Sequence, residues 1–164
     1  MHRLTFVLLS AVSIAACSAA PASARASVVL KLQGNVVRHD ANDRAVLTPL
    51  GDGAGLGPGE TIRYVIVAGN SGTSAALHLV PAAKIPSGTA YEAGSASTAA
   101  ALRIEFSLDG GKTWAVKPLV KVQTPDGLVA KPADPSLYTN LRWIGAKPLQ
   151  PKASVAYAYE VRVK

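Results

Sequence analysis

Glu60-Thr61-Ile62-Arg63-Tyr64-Val65-Ile66-Val67-Ala68-Gly69-Asn70 decides the fold class. In an extended chain Ile62, Tyr64 and Ile66 share one face, and Arg63, Val65 and Val67 share the other. The stretch is rich in β-branched and aromatic side chains, which suit a pleated, half-buried surface better than a helix. Asn70-Ser71-Gly72 then supplies turn conformations that β-branched residues do not reach. Upstream, residues 51–59 are too glycine-rich to be anything but a loop.

The pattern repeats outward in both directions. Residues 27–37 read as an opening strand with a break at Gly34. A polar loop follows at 39–44, and Val46-Leu47 forms a short strand. Residues 75–80 alternate, with Leu77 and Leu79 on one face and His78 on the other. Pro86-Ser87-Gly88 turns the chain before Thr89-Ala90-Tyr91. Residues 102–108 place Leu102, Ile104, Phe106 and Leu108 on one side and Arg103, Glu105 and Ser107 on the other. Asp109-Gly110 opens a turn, and Thr113-Trp114-Ala115-Val116 returns as a hairpin. Residues 118–135 are a mixed stretch with Thr-Pro-Asp-Gly and Ala-Asp-Pro-Ser turns. Leu141-Arg142-Trp143-Ile144 is a short strand, with Trp143 expected on the opposite sheet. Residues 154–163 close the chain with Val155, Tyr157, Tyr159, Val161 and Val163 inward. No stretch after residue 24 shows helical apolar spacing. The expectation is all-β: an immunoglobulin-like antiparallel β-sandwich of about seven to eight strands.

Three ordered stretches carry a resemblance. Pro58-Gly59-Glu60 running through Tyr64 to Asn70-Ser71-Gly72 is the first. Ile85-Pro86-Ser87-Gly88-Thr89-Ala90-Tyr91-Glu92-Ala93-Gly94-Ser95 is the second. Leu141-Arg142-Trp143, with Leu149-Gln150-Pro151 and Ala156-Tyr157-Ala158-Tyr159-Glu160-Val161, is the third. Together they resemble the conserved-repeat family called domain of unknown function eleven, over residues 27–164. Ala83-Lys84 stands where that family often has Asp before its Ile/Leu-Pro, and Lys152 where it commonly has Gly. The resemblance implies an immunoglobulin-like sandwich on exported or surface proteins and implies no activity.

The N-terminus bears on compartment. Arg3 gives one fixed positive charge, residues 4–16 are an apolar or weakly polar run of 13, and Ala22-Ser23-Ala24 is a small-x-small exit. These are the parts of a secretory signal. The run is too short to span a bilayer core of about 30 Å. Residues 1–24 are therefore read as a signal peptide cleaved after Ala24, and 25–164 as a single β-sandwich domain. A second route stays open: Ile14-Ala15-Ala16-Cys17 resembles a lipobox, in which Cys17 is lipidated and becomes the first residue. The expected location is extracytoplasmic, periplasmic or secreted; lipidation at Cys17 would make the protein a membrane-anchored lipoprotein. Cys17 is the single cysteine, so no disulfide holds residues 25–164 together.

Charge is uneven. Residues 25–109 carry seven basic and seven acidic side chains, whereas residues 110–164 carry nine basic against three acidic. That surplus suits either an anionic envelope polymer or solvated edge lysines that discourage strand pairing. The lysines neither cluster nor interleave with aromatics, unlike a nucleic-acid face.

Four patterns suggest chemistry. Ser107-Leu108-Asp109-Gly110-Gly111-Lys112-Thr113-Trp114 matches the Asp-box of sialidase propellers, which raises a small carbohydrate-active hydrolase as an alternative. A single copy reads as a self-bonded hairpin, since a propeller needs several and a longer chain. His39-Asp40-Ala41-Asn42-Asp43 gathers oxygens but lacks the later bidentate Glu of a calcium loop, and reads as Asx turns. His39 and His78 lie far apart with no partner cysteine, against a zinc site. An acid pair such as Glu105 and Glu160 would need the fold to bring them together. The reading is a non-enzymatic binding or structural module of the cell envelope, without cofactor or metal. Its partner would be a protein or an anionic polymer, met through exposed strand edges or the basic C-terminal third.

Overall fold

The protein was analysed as a computed structural model, which describes residues 24–51, 55–98, 103–145 and 147–164. Residues 1–23 of the expected signal peptide 1–24, with Cys17 among them, the middle of the glycine-rich loop and Leu102 lie outside the described residues. Ala24, the expected cleavage point, is the first of them.

The alternating stretches become strands: β1 (Val28–His39), β2 (Ala45–Pro49), β3 (Thr61–Asn70), β4 (Ala82–Lys84), β5 (Thr89–Tyr91), β6 (Ser97–Thr98), β7 (Arg103–Ser107), β8 (Leu119–Thr124), β9 (Gly127–Pro132), β10 (Asn140–Ile144) and β11 (Ser154–Val163). One 3₁₀ turn, Pro135–Leu137, is the sole helical piece among the described residues. A large antiparallel sheet runs β2-β1-β3-β11-β5, with β6 also on β11. A smaller antiparallel sheet runs β4-β10-β7. The two pack as a sandwich, and β8–β9 form a two-stranded ribbon of their own.

The core follows from the alternation. Ile62 and Ile66 of β3 and Tyr157, Tyr159 and Val161 of β11 point inward from the large sheet, and Leu141 and Trp143 of β10 answer from the small one. The Trp143 ring lies 5.4 Å from Tyr157 and 6.3 Å from Tyr159, both tilted. Such pairs contribute about 0.5–1.5 kcal/mol each beyond their burial. Trp143 therefore packs on the opposite sheet, as its place in the sequence suggests. A second aromatic group, Tyr91, Phe106 and Tyr138, closes one end with centroids 4.6–5.9 Å apart.

Several expectations change. Strands number eleven among the described residues, because short pieces such as β4 and β6 are added and the mixed stretch 118–135 holds the β8–β9 ribbon. Gly34 does not break β1. The ladder to β3 runs through it, and an added Cβ would stand 3.2 Å from both Leu50 and the Tyr64 ring. The glycine makes room for two core side chains. Residues 75–80 are not a strand. His78 adopts φ 53°, which ends any alternation, and Leu77 is left exposed while Ala76 bridges Leu149. The return of the 107–116 hairpin is one bridge, Phe106 to Ala115. Glu105 and Ser107, on the polar side of the 102–108 alternation, point away from the core but are buried. The Asp-box loop folds back over that outer face of the small sheet.

Candidate functional site

The most exposed chemistry in the sandwich is backbone. Strand β1 pairs with β3 along Val28 to Val37, but with β2 only from Asn35 to His39. The Leu50 amide donates to the Gly34 carbonyl at 2.9 Å, so the even-numbered peptide groups of β1 face the β2 side. On the opposite side Ser71 N–H donates to Ser27 C=O at 2.8 Å, so the odd-numbered groups face β3. The N–H and C=O groups of Val28, Leu30 and Leu32 therefore point to a side where no described strand lies.

The side chains of this edge are apolar. Leu30 and Leu32 share the inner face with Ala68 and Ile66, their register partners, yet keep 52 % and 62 % of their surface. The small sheet does not reach this far. On the outer face Val29 is half exposed and, with Lys31, Gly69, Lys152 and Ala153, lines an open depression of about 400 Å³. Natural edges are normally blunted by charge, proline or a bulge. Here Lys31 is the one charged residue of residues 28–33, and no proline occurs.

A strap of hydrogen bonds fixes the chain just before the edge. Arg25 C=O accepts from Thr73 N–H at 2.9 Å, and Arg25 N–H donates to Thr73 Oγ1 at 3.3 Å. Asn70 anchors this corner while 2 % exposed: Oδ1 accepts from Ser27 N–H (3.1 Å) and Gly72 N–H (3.0 Å), and Nδ2 donates to Ser74 C=O (2.8 Å) and Leu149 C=O (3.0 Å). Gly72 is needed for contact, since a Cβ there would lie 2.2 Å from Arg25 O. Lys152 adopts φ 62° and donates from Nζ to Ser71 C=O at 2.7 Å. Asn70-Ser71-Gly72 reads in the sequence as a turn only. Its role in seating the first strand was legible in no local pattern.

The Asp-box is occupied with itself. Asp109 accepts from Thr113 Oγ1 (2.7 Å), Thr113 N–H (2.9 Å), Lys112 N–H (3.0 Å) and Ser107 Oγ (2.7 Å). These donors hold its carboxyl far below the usual range, the Thr113 hydroxyl foremost. Trp114 Nε1 donates to Gly111 C=O at 2.8 Å, and the Arg142 guanidinium stacks 4.5 Å over its ring. Arg142 also holds Glu105 through Oε2 at 2.7 and 2.9 Å, and Arg103 binds Oε1. The Arg142 hydrogen bonds lower the Glu105 carboxyl despite its burial.

The acids do not converge. Glu105 lies on the outer face of the small sheet and Glu160 on the outer face of the large one, bound to Arg63 at 2.8 Å. A polar depression of about 510 Å³ is lined by His39, Glu60, Glu92, Glu160 and Arg162, but each of its acids is ion-paired with an arginine. Asp40 Oδ1 accepts from Asn42 and Arg44 amides at 2.8 and 2.9 Å, an Asx turn beside His39. His78 sits on the irregular 75–80 connection instead of a strand. Within the basic C-terminal third, Lys121 and Lys131 lie on opposite faces of the ribbon, and Arg142 and Arg162 are engaged by glutamates.

Comparison with protein-family models, with curated proteins and with solved structures finds no match to this chain.

Proposed function

We propose that the chain is an exported, non-enzymatic β-sandwich module of the cell envelope or the secreted space, and that it works by adding a partner's extended strand to β1. The observation that carries this reading is the unpaired Val28–Leu30–Leu32 backbone beside exposed Val29, Leu30 and Leu32. In strand addition, main-chain hydrogen bonds supply affinity and side-chain pockets supply selectivity. The edge offers both, with the depression beside Val29 as the pocket.

Export is supported by the charged start, short apolar run and Ala22-Ser23-Ala24 exit. Cleavage after Ala24 would leave Arg25 at the N-terminus, where its nitrogen already contacts Thr73 and its carbonyl is bonded. The likeness to domain of unknown function eleven points the same way, to a surface or stalk module. Lipidation at Cys17 would put the same domain on a membrane, eight residues from Arg25.

Two measurements test this. Mass spectrometry of the mature N-terminus after cell fractionation should give Arg25 in an extracytoplasmic fraction; an intact Met1 in the cytoplasm would refute export. A pull-down from an envelope extract should recover a partner with the wild-type chain and lose it with Leu30→Pro. That substitution removes one outward N–H at an edge position where proline is tolerated. Equal recovery by both proteins would refute the edge.

A further inference from the structure

The free edge is self-complementary, and we infer that its occupant is a second copy of this chain, paired antiparallel through β1. This rests on the strand-addition reading above and adds the identity of the partner. An antiparallel pair forms narrow hydrogen-bonded couples only between residues whose peptide groups both point across the gap. On β1 these are Val28, Leu30 and Leu32. A two-fold axis at Leu30 couples Leu30 with its own copy and Val28 with Leu32 of the other chain. All three outward-pointing residues on each chain then find partners.

The side chains fit the same register. On the inner face Val28, Leu30 and Leu32 of the two copies meet, joining two apolar strips whose leucines are each more than half exposed. On the outer face Lys31 stands opposite Val29 of the other copy, so the edge's one charge does not face its like. The window has defined ends. At Gly34 the position across the strand is taken by Leu50, and before Val28 the chain departs along the strap to Thr73. The shared ladder is therefore confined to residues 28–32 on each chain, and two large sheets become one continuous sheet. So short a seam places the association in the weak, concentration-dependent class.

Cysteine scanning in a Cys17→Ser background of the full chain tests the register. Directly opposed hydrogen-bonded residues have Cα atoms about 5.5 Å apart, within the span a disulfide bridges. Leu30→Cys should form a covalent dimer on mild oxidation, at least tenfold faster than Lys31→Cys, and light scattering of the uncrosslinked protein should show mass rising toward twice the monomer with concentration. Circular dichroism of each variant checks that it is folded. A labelled peptide of residues 27–33 serves as a second probe. A protein that stays monomeric but binds the peptide overturns the second-copy inference and leaves the strand-addition reading standing. A protein that stays monomeric and binds no peptide also overturns the second-copy inference, and the pull-down with Leu30→Pro then decides the strand-addition reading by itself. Crosslinking at Lys31→Cys equal to that at Leu30→Cys overturns the register.

Discussion

Asn70 shows how much one side chain can organise. It is buried between the start of β1, the 71–74 turn and the Leu149 bridge, and its side chain uses its full hydrogen-bonding capacity of two donors and two acceptor lone pairs. Asn70→Ala would strand the part-buried Ser27 and Gly72 amides and the Ser74 carbonyl, while the Leu149 carbonyl keeps the Ala76 N–H. The expected loss is about 2–4 kcal/mol, since each unsatisfied buried group costs about 1–3 kcal/mol and solvent recovers part of it. Urea unfolding followed by tryptophan fluorescence measures it, and a loss below about 0.5 kcal/mol would contradict the hub role. Asp109 gives a pH signature. Its folded-state pKa lies below the ordinary 3.8, so its contribution to stability is complete above that value and is lost as pH falls through the depressed one. Glu105, also depressed, adds in the same direction. Asp109→Asn should lower the thermal midpoint at pH 7, and the gap to wild type should narrow between pH 4 and pH 2. A gap independent of pH would show that the carboxylate charge is not what holds the loop.

Elements differ in how plainly their residues announce them. Strands β3, β10 and β11 each bury one face, so the period-two pattern names both their existence and their orientation. The β8–β9 ribbon was not legible because it buries neither face. Leu119, Val122, Leu128 and Val129 are exposed and interleaved with lysine and glutamine, so no amphipathic signal arises. Residues 75–80 failed in the opposite way: the alternation is there, but His78 turns left-handed and cuts it. The ribbon bonds only to itself along its ladder, and an isolated hairpin is marginal in water. Its amides should exchange with deuterium far faster than those of β3, whose exchange requires opening of the core. Protection in the ribbon equal to that of β3 would mean that it is held by something beyond its own ladder.

At the scale of the whole molecule, the fold class was legible while the open edge was not. Alternation, turn residues and the absence of helical spacing lead to an all-β sandwich. Nothing in residues 27–37 says that one side of that strand lacks a neighbour. An open edge is a property of strand order, and strand order is set by which distant segments pack, not by any local pattern. The same holds for Glu105 and Glu160, which share a charge type and lie on opposite outer faces. The Asp-box and the His39–Asp43 stretch are bonded into turns, and the proposed working surface is a run of apolar residues with bare peptide groups.

Residue-resolved amide exchange along β1 tests that surface most directly. In dilute protein the amides of Leu30 and Leu32 should exchange at nearly the rate of an unfolded chain, while those of Val29, Lys31 and Gln33 stay protected by β3. Raising the protein concentration should slow Val28, Leu30 and Leu32 and no other amide of β1. Strong protection of Leu30 and Leu32 at every dilution would show that the edge is already covered and would contradict the account.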